Sequence, residues 1–436
     1  MTPNSNNPKL WWSHLSHFLT HRRLTYAWIT GIVLWLSWLL SIILGPGNLD
    51  LASQAIGTDY LQFYASGLTL ARRASGQLYD FAYQAQLEQE IIGPELQYFH
   101  ANLTPPFLAW LFVPLSSIPY AWSFAAWSGI GFIYAWVSLR MLGTREPWRR
   151  LAWALSWFPV FASISFGQNS LLSLFILSLA YLLWQRKHKY SAGLVASLLL
   201  YKPQLLIGVA ILWLIQWRRD WKTLTGLLTG GCILVGLTFI FLPEAAIDYL
   251  HLVRDFLPGM IYGEQFPLYH LHALRGFLIL LLPGQIWLVE LISIIVSITG
   301  LIFYLRILKS IRNEPKLQFV AAICFTIFIT PHAMIYDWVL LLIPAVLLWQ
   351  AYPELKQYWK VVFAGIWLVS LLSGPLTFLQ LKFLPVAVQI SVPIYLILLI
   401  DVWRVLKHKP AMAGLDYPIK AEANSDQKPE ESFNGR

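Results

Sequence analysis

The sequence predicts an all-α polytopic membrane protein, and three observations predict it. The chain of 436 residues is 57% hydrophobic and only 12% charged, with a mean hydropathy of +0.57, far too apolar for a soluble domain of this size. Apolar runs recur along it, about 12 when counted as membrane segments by length. The lysines and arginines then sort by side: of 31, only Arg72, Arg73, Lys202, Arg254, Arg275 and Lys382 fall on the outer face, leaving 25 on the cytoplasmic face. A missed or invented span would scramble that alternation, so it supports the orientation as well as the count, with both termini cytoplasmic. The net charge of +9 follows from retained cytoplasmic loops, and no nucleic-acid partner is expected.

Taken in order, residues 1–23 form a polar cytoplasmic tail in which Trp11, Trp12, Arg22 and Arg23 read as an interfacial anchor. The run 24–44 has no small-residue cleavage pattern at its end, so it reads as a retained helix rather than a signal peptide. Further apolar runs lie at 105–142, 149–165, 168–185, 190–202, 204–217, 222–242, 285–305, 317–331, 334–350, 360–374 and 386–403. The pair 190–202 and 204–217, broken at Lys202-Pro203, reads equally as two spans, a re-entrant hairpin or one kinked element. Two long intervals, 45–104 and 243–284, fall on the outer face and carry helix-like stretches at 59–73, 80–92 and 245–257, expected to lie along the interface. Loops of this length on one face usually build a site. Residues 24–404 thus form a single membrane domain, and 405–436, rich in Lys, Glu, Ser, Asn and Pro, a disordered cytoplasmic tail. Cys232 and Cys324 sit inside apolar runs as packing residues, with neither a disulfide framework nor a CxxC motif. No Gly-rich nucleotide-binding motif is present.

Polar groups beside membrane segments are costly, roughly 2.5–3.5 kcal/mol for a charge at the bilayer centre, so those retained point to function or to an aqueous edge. In this topology Asp59, Gln168, Asn169, Lys202, Glu290, His332 and Asp337 all fall at or near outer ends. Collection on one face suits a catalytic cavity open to the exterior better than an alternating-access path at the midplane. A secondary transporter or lipid-linked sugar flippase is the alternative class, although the inverted repeats it calls for are not detectable; a non-catalytic envelope scaffold is a third. Each polar residue also has a structural use. Asp59 with Gln62 has capping-box spacing, Gln168 and Asn169 open a helix and can cap it, and Lys202 can snorkel from a helix end. His332 can satisfy a backbone carbonyl, and Asn102 can serve as a turn residue before a proline-started helix. Glu290 has no identified partner.

These residues carry a resemblance. Gly57-Thr-Asp59-Tyr-Leu-Gln-Phe-Tyr64-Ala-Ser-Gly67, Leu78-Tyr79, Asn102-Leu-Thr-Pro105-Pro106-Phe, Pro114-Leu115 and Ile118-Pro119 occur in sequence, followed by Phe166-Gly167-Gln168-Asn169, Ala192-Gly193, Tyr201-Lys202-Pro203, Thr330-Pro331-His332 and Tyr336-Asp337. The series resembles the polyprenyl-phosphate-mannose-dependent mannosyltransferases of glycosyltransferase family 87 over roughly residues 20–400, by the order of its motifs rather than by any one of them. One departure is the stretch Thr104-Pro105-Pro106 where the family more commonly has Asn-Pro-Pro, so no role is carried to Asn102.

The resemblance implies the GT-C type glycosyltransferase fold, with a site under the first extracytoplasmic loop, in a bacterial plasma membrane with the site on the periplasmic or outer face. It implies a polyprenyl-phosphate sugar as donor and a glycolipid or glycan acceptor, with neither metal nor other cofactor, and membrane lipids as surroundings. Asp59 matches the expected general base, and Lys202 and His332 match groups expected at the donor phosphate. Tyr64, Gln168, Asn169, Tyr336 and Asp337 are candidates for the sugar or acceptor pocket. The chemistry of the residues agrees. A phosphate leaving group needs little protonation, so one base and a set of cationic or hydrogen-bonding groups suffice, whereas a glycosidase normally needs two carboxylates. Direct displacement with one base inverts the anomeric centre. The donor tail is expected near the aromatic walls formed by 105–142 and 334–350.

Overall fold

A computed structural model describes residues 19–263 and 266–407; the expectations for Trp11, Trp12 and the tail beyond 407 lie outside the described residues. Those residues are helical, with no strands and two isolated bridges, Leu49 to Ala55 and Leu271 to Met334. The first five helices are α1 (His21–Leu44), α2 (Tyr60–Ala71), α3 (Phe81–Ile92), α4 (Pro106–Phe112) and α5 (Tyr120–Met141). Next come α6 (Pro147–Leu155), α7 (Phe158–Ser165), α8 (Ser170–Gln185), α9 (Lys189–Ala196), α10 (Ile207–Ile215) and α11 (Trp217–Phe241). The chain continues through α12 (Pro243–His251), α13 (Leu274–Leu281), α14 (Ile286–Ser310), α15 (Pro315–Ile329), α16 (Leu342–Ala351), α17 (Lys356–Phe383) and α18 (Ser391–Lys407).

Proline sets many of the starts. α4, α6, α7, α12 and α15 each carry one in the first two positions, where its missing N–H costs nothing and its fixed φ suits the helix. α3 begins instead at Asp80, whose carboxylate accepts from the N–H groups of Ala82 at 2.8 Å and Tyr83 at 3.0 Å.

Among the described residues four helices are long and apolar enough to cross a membrane: Thr25–Leu44, Trp217–Phe241, Ile286–Ser310 and Pro353–Phe383. α7 and α8 would make a fifth if taken as one span, but they are bent by 118° at the turn between them. The other apolar runs are helical and shorter or broken. The stretch 105–142 divides at Pro114 and Pro119 into α4, a 3-10 turn at Leu115–Ser117 and α5. The 190–217 region is α9, two 3-10 segments, Ser197–Tyr201 and Pro203–Leu206, and α10, with Lys202 at the joint in a non-helical conformation (φ −138°, ψ 67°). Proline after Lys202 disfavours continued helix there.

α1 and α14 bury only 6% of their apolar spans, and each leaves a broad apolar face exposed, as expected of faces turned to lipid. By contrast α15 is buried along nearly its whole length. α9 and α11 approach backbone to backbone through small residues: a Cβ on Gly193 would lie 1.8 Å from the Thr223 carbonyl oxygen. Beside them, Asp220 is fully buried and accepts from Trp184 Nε1 at 3.1 Å, Lys189 Nζ at 2.9 Å and Arg219 at 3.1 Å. Trp184 lies in the last turn of α8 and Ser170 begins it, so this ionic knot lies about 21 Å along α8 from the first residue of that helix.

Candidate functional site

Two left-handed turns create the site. Gly57 has φ +67° and its missing side chain leaves room for Phe124, whose ring would lie 2.2 Å from a Cβ there. Gly167, also at φ +67°, takes Tyr60 against its backbone, where a Cβ would meet the Tyr60 Cβ at 2.4 Å. Only glycine adopts such a conformation at low cost in so little space. The Tyr60 N–H donates to the Phe166 carbonyl at 3.1 Å, Trp127 Nε1 to the Gly167 carbonyl at 3.0 Å, and the Tyr120 hydroxyl to the Ile56 carbonyl at 2.6 Å. The start of α2 is thereby stitched to the bend between α7 and α8.

Asp59 holds the N-cap position of α2, yet its side chain makes no capping hydrogen bond. Instead Gln168 Nε2 donates to Asp59 Oδ2 at 2.8 Å, across 109 residues of chain. The Gln168 carbonyl end faces Lys202, whose Nζ lies 3.5 Å from Gln168 Oε1, 3.3 Å from Ser170 Oγ and 2.9 Å from Asp337 Oδ1. These contacts match the three donors of an ammonium group. Ser170 Oγ donates to Asp337 Oδ1 at 2.7 Å, and the Met334 N–H to Asp337 Oδ2 at 3.2 Å. Tyr336 lays its ring 5.0 Å from Lys202 Nζ. Asp59, Gln168, Lys202, Asp337 and Tyr336 therefore meet, from four separate parts of the chain, in one cluster. Lys202 does not snorkel outward: its side chain is 13% exposed and points at Asp337, which is 3% exposed.

Electrostatics set the state of the carboxylate. Burial pushes the Asp59 pKa above the usual carboxylate range, and Asp337 adds to the rise; the Gln168 hydrogen bond, His100 and Lys202 oppose it. His100 was not singled out from the sequence, although it lies two residues before Asn102 in the long interval 45–104. Burial lowers its pKa and the Asp59 charge counters that. Its N–H donates to Glu88 Oε2 at 2.9 Å. Glu88 is 1% exposed, and burial pushes its carboxyl up to about 8 against the opposing His100 hydrogen bond, which favours the neutral acid.

The remaining candidates separate. Asn169 is fully buried; its side chain caps nothing and both its amide atoms lack partners, while its carbonyl accepts from the Tyr201 hydroxyl at 3.2 Å. The Tyr64 hydroxyl donates to the Ile118 carbonyl at 2.9 Å and leans on that of Ser116 at 3.4 Å, so it ties α2 to the turn before α5. Asn102 acts as a turn residue, its Oδ1 accepting from the Thr104 N–H and hydroxyl. His332 lies apart from the contacts of Lys202: Arg275 and Glu290 are the charges acting on its ring, and its Nδ1 is buried without a partner. Glu290 acquires the partners that its sequence context left unidentified, Arg275 and the Tyr262 hydroxyl. Ser170, His100, Arg275 and Tyr262 carried no sequence signal beyond lying in or next to outer loops.

Among the described residues no three His, Cys, Asp or Glu side chains converge to hold a metal ion. What the main cluster offers is one partly exposed carboxylate with a raised pKa, oriented by an amide and held near an ammonium group.

In comparison with known families, the chain matches the model of Glycosyltransferase family 87 over residues 102–335. That stretch contains Gln168, Asn169, Lys202 and His332; Asp59 and Tyr64 precede it, and Tyr336 and Asp337 follow it. No curated protein and no solved structure matches the chain.

Proposed function

The chain belongs to glycosyltransferase family 87, and from that premise we propose that it moves mannose, or a related hexose, from a polyprenyl-phosphate sugar to a lipid-linked or envelope glycan. Asp59 takes the proton from an acceptor hydroxyl. The acceptor oxygen bonds to the anomeric carbon as the bond from that carbon to the phosphate oxygen breaks, and polyprenyl phosphate departs with the electron pair. One displacement inverts the anomeric centre. A carboxylate with a raised pKa is a stronger base than an ordinary one, which suits proton removal near neutral pH. Lys202 supplies positive charge near the leaving phosphate, tempered by Asp337, and the reaction draws on no metal or nucleotide.

In this reading the fold is of the GT-C type, with about 12 membrane segments when broken and short helices are included. The donor arrives already in the membrane, the site faces the outer side of a bacterial plasma membrane, and both termini are cytoplasmic. The observation that carries the reading is Asp59. It occupies a helix-capping position and leaves the cap unmade, accepting from Gln168 in a cluster that also holds Lys202.

The test is sugar transfer by purified protein in lipid nanodiscs supplied with polyprenyl phosphate mannose and membrane lipid extract. Asp59→Asn is expected to lower transfer by about 10²- to 10⁴-fold while folding and donor binding persist. Normal turnover in that variant would remove the base assignment. Movement of the lipid donor across the bilayer without any transfer would favour a flippase.

A further inference from the structure

Away from Asp59, a cavity of about 310 Å³ opens between α13, α14 and α15, with Arg275 and Glu290 at its polar part, near the lower end of ligand-pocket volumes. Along α14 its wall is made by Glu290, Ser293, Ile294, Ser297 and Ile298, a stripe at helical spacing running roughly 12 Å along one face. Only 6% of that helix's apolar span is buried, and Ile294 and Ile298 in the stripe are themselves exposed, so the stripe borders the face turned to lipid. Phe328 and Ile329 form the facing wall. Thr330 also lines the cavity; its hydroxyl lies 2.7 Å from the Thr326 carbonyl and 3.2 Å from that of Gln204, two residues beyond Lys202. The cavity thus runs from an exposed apolar helix to the backbone that carries the site lysine.

Its polar part is unusual in how charge is placed. Arg275 donates to Glu290 through Nε at 2.8 Å and through Nη2, both to the single oxygen Oε1, which also accepts the Tyr262 hydroxyl. Three donors converge on one anionic oxygen, an arrangement suited equally to a phosphate oxygen. Ser293 Oγ and His332 Nδ1 are buried without partners in the cavity wall and beside it, respectively. An apolar slot ending in an arginine, a tyrosine hydroxyl and unsatisfied polar groups has the chemistry to hold an anionic head on a hydrocarbon chain.

We infer that Glu290 is a built-in stand-in for the phosphate of a polyprenyl phosphate: the lipid's chain lies along the α14 stripe and its phosphate displaces the Glu290 carboxylate from Arg275 and Tyr262. This deepens the proposed function and rests on it, placing the chain between α14 and α15 rather than beside the aromatic walls of 105–142 and 334–350. The carboxylate keeps the guanidinium paired while the slot is empty and competes with the lipid for it. Removing the Glu290 charge and removing the Arg275 charge must then act in opposite directions, which a merely structural ion pair does not do.

The experiment is equilibrium binding of farnesyl phosphate to the full-length protein in nanodiscs, by native mass spectrometry, for wild type, Glu290→Gln and Arg275→Gln, with farnesol, inorganic phosphate and phosphatidylglycerol as competitors. Glu290→Gln is expected to bind roughly fivefold to tenfold tighter and Arg275→Gln at least as much weaker, with none of the three competitors displacing the probe at equal concentration. Unchanged or weaker binding in Glu290→Gln overturns the inference, and that variant keeps its hydrogen-bonding shape, so misfolding does not excuse the result. Displacement by phosphatidylglycerol assigns the slot to bulk phospholipid and overturns the polyprenyl occupant. Sugar transfer measured in parallel separates the two levels: normal transfer with no effect of either substitution on binding sinks this site alone, whereas absence of both transfer and farnesyl phosphate binding sinks the proposed function.

Discussion

At Asp59, burial and a hydrogen bond from Gln168 act on one carboxyl in opposite directions. Burial favours the protonated carboxyl, while the Gln168 amide donates to the ionised form and holds the pKa down. Because the net shift is upward, Asp59 lends the folded state stability at acid pH that is lost as pH rises through its folded pKa. Activity is expected to run the other way, since Asp59 is the proposed base and a base works only when ionised. Gln168→Leu removes the opposing hydrogen bond, so the Asp59 pKa should rise further and the acidic limb of the kcat/KM profile should move to higher pH. An unmoved limb in the variant would show that Gln168 does not face the working carboxylate. Candidates of one residue type had different fates for reasons invisible in their immediate neighbours. The capping-box spacing of Asp59 and Gln62 was legible, but the carboxylate is turned to a partner 109 positions away. Asn169 and Asn102 look alike as helix-start and turn residues; the latter serves its turn, and the former buries an amide with no partner at all.

At the scale of elements, broken helices bring the polar residues together. The 118° bend between α7 and α8 puts Gln168 at its apex, and the joint between the two 3-10 segments before α10 presents Lys202. Irregular backbone in an apolar protein persists where protein groups satisfy it, as Tyr60, Trp127 and Tyr201 do here for the carbonyls of Phe166, Gly167 and Asn169. At the other end of α8 the Asp220 knot fixes α8, α9 and α11 to one another. Asp220→Ala would leave Lys189 and Arg219 without their shared partner and Trp184 Nε1 buried and unpaired, and a loss of about 1–3 kcal/mol is expected. Thermal denaturation in nanodiscs measures it, and transfer per folded molecule should stay at the wild-type level, because the knot makes no contact with the cluster at Asp59. A large drop in transfer at unchanged stability would contradict the division of labour between the two ends of α8.

For the whole molecule the decisive property is orientation in the bilayer. The charge alternation predicts residues 45–104 outside and the stretch around 186–189 inside. In a variant with Cys232 and Cys324 replaced, Gln77→Cys should react with an impermeant maleimide in intact cells and Lys187→Cys only after permeabilisation; the reverse pattern would invert the topology. The sequence by itself determined an all-helical apolar chain, the positions of the helices at 60–71 and 81–92 within the interval 45–104, and which polar residues deserved scrutiny, because hydropathy, periodicity and charge are local and additive along a chain. The tertiary structure alone decided which apolar runs are long helices and which are broken. It also decided that Lys202 pairs with Asp337 while His332 goes with Arg275 and Glu290, and that Tyr64 spends its hydroxyl on backbone. Those outcomes depend on which distant groups compete for the same donor or acceptor in a dry interior, and spacing along the chain carries no record of that competition.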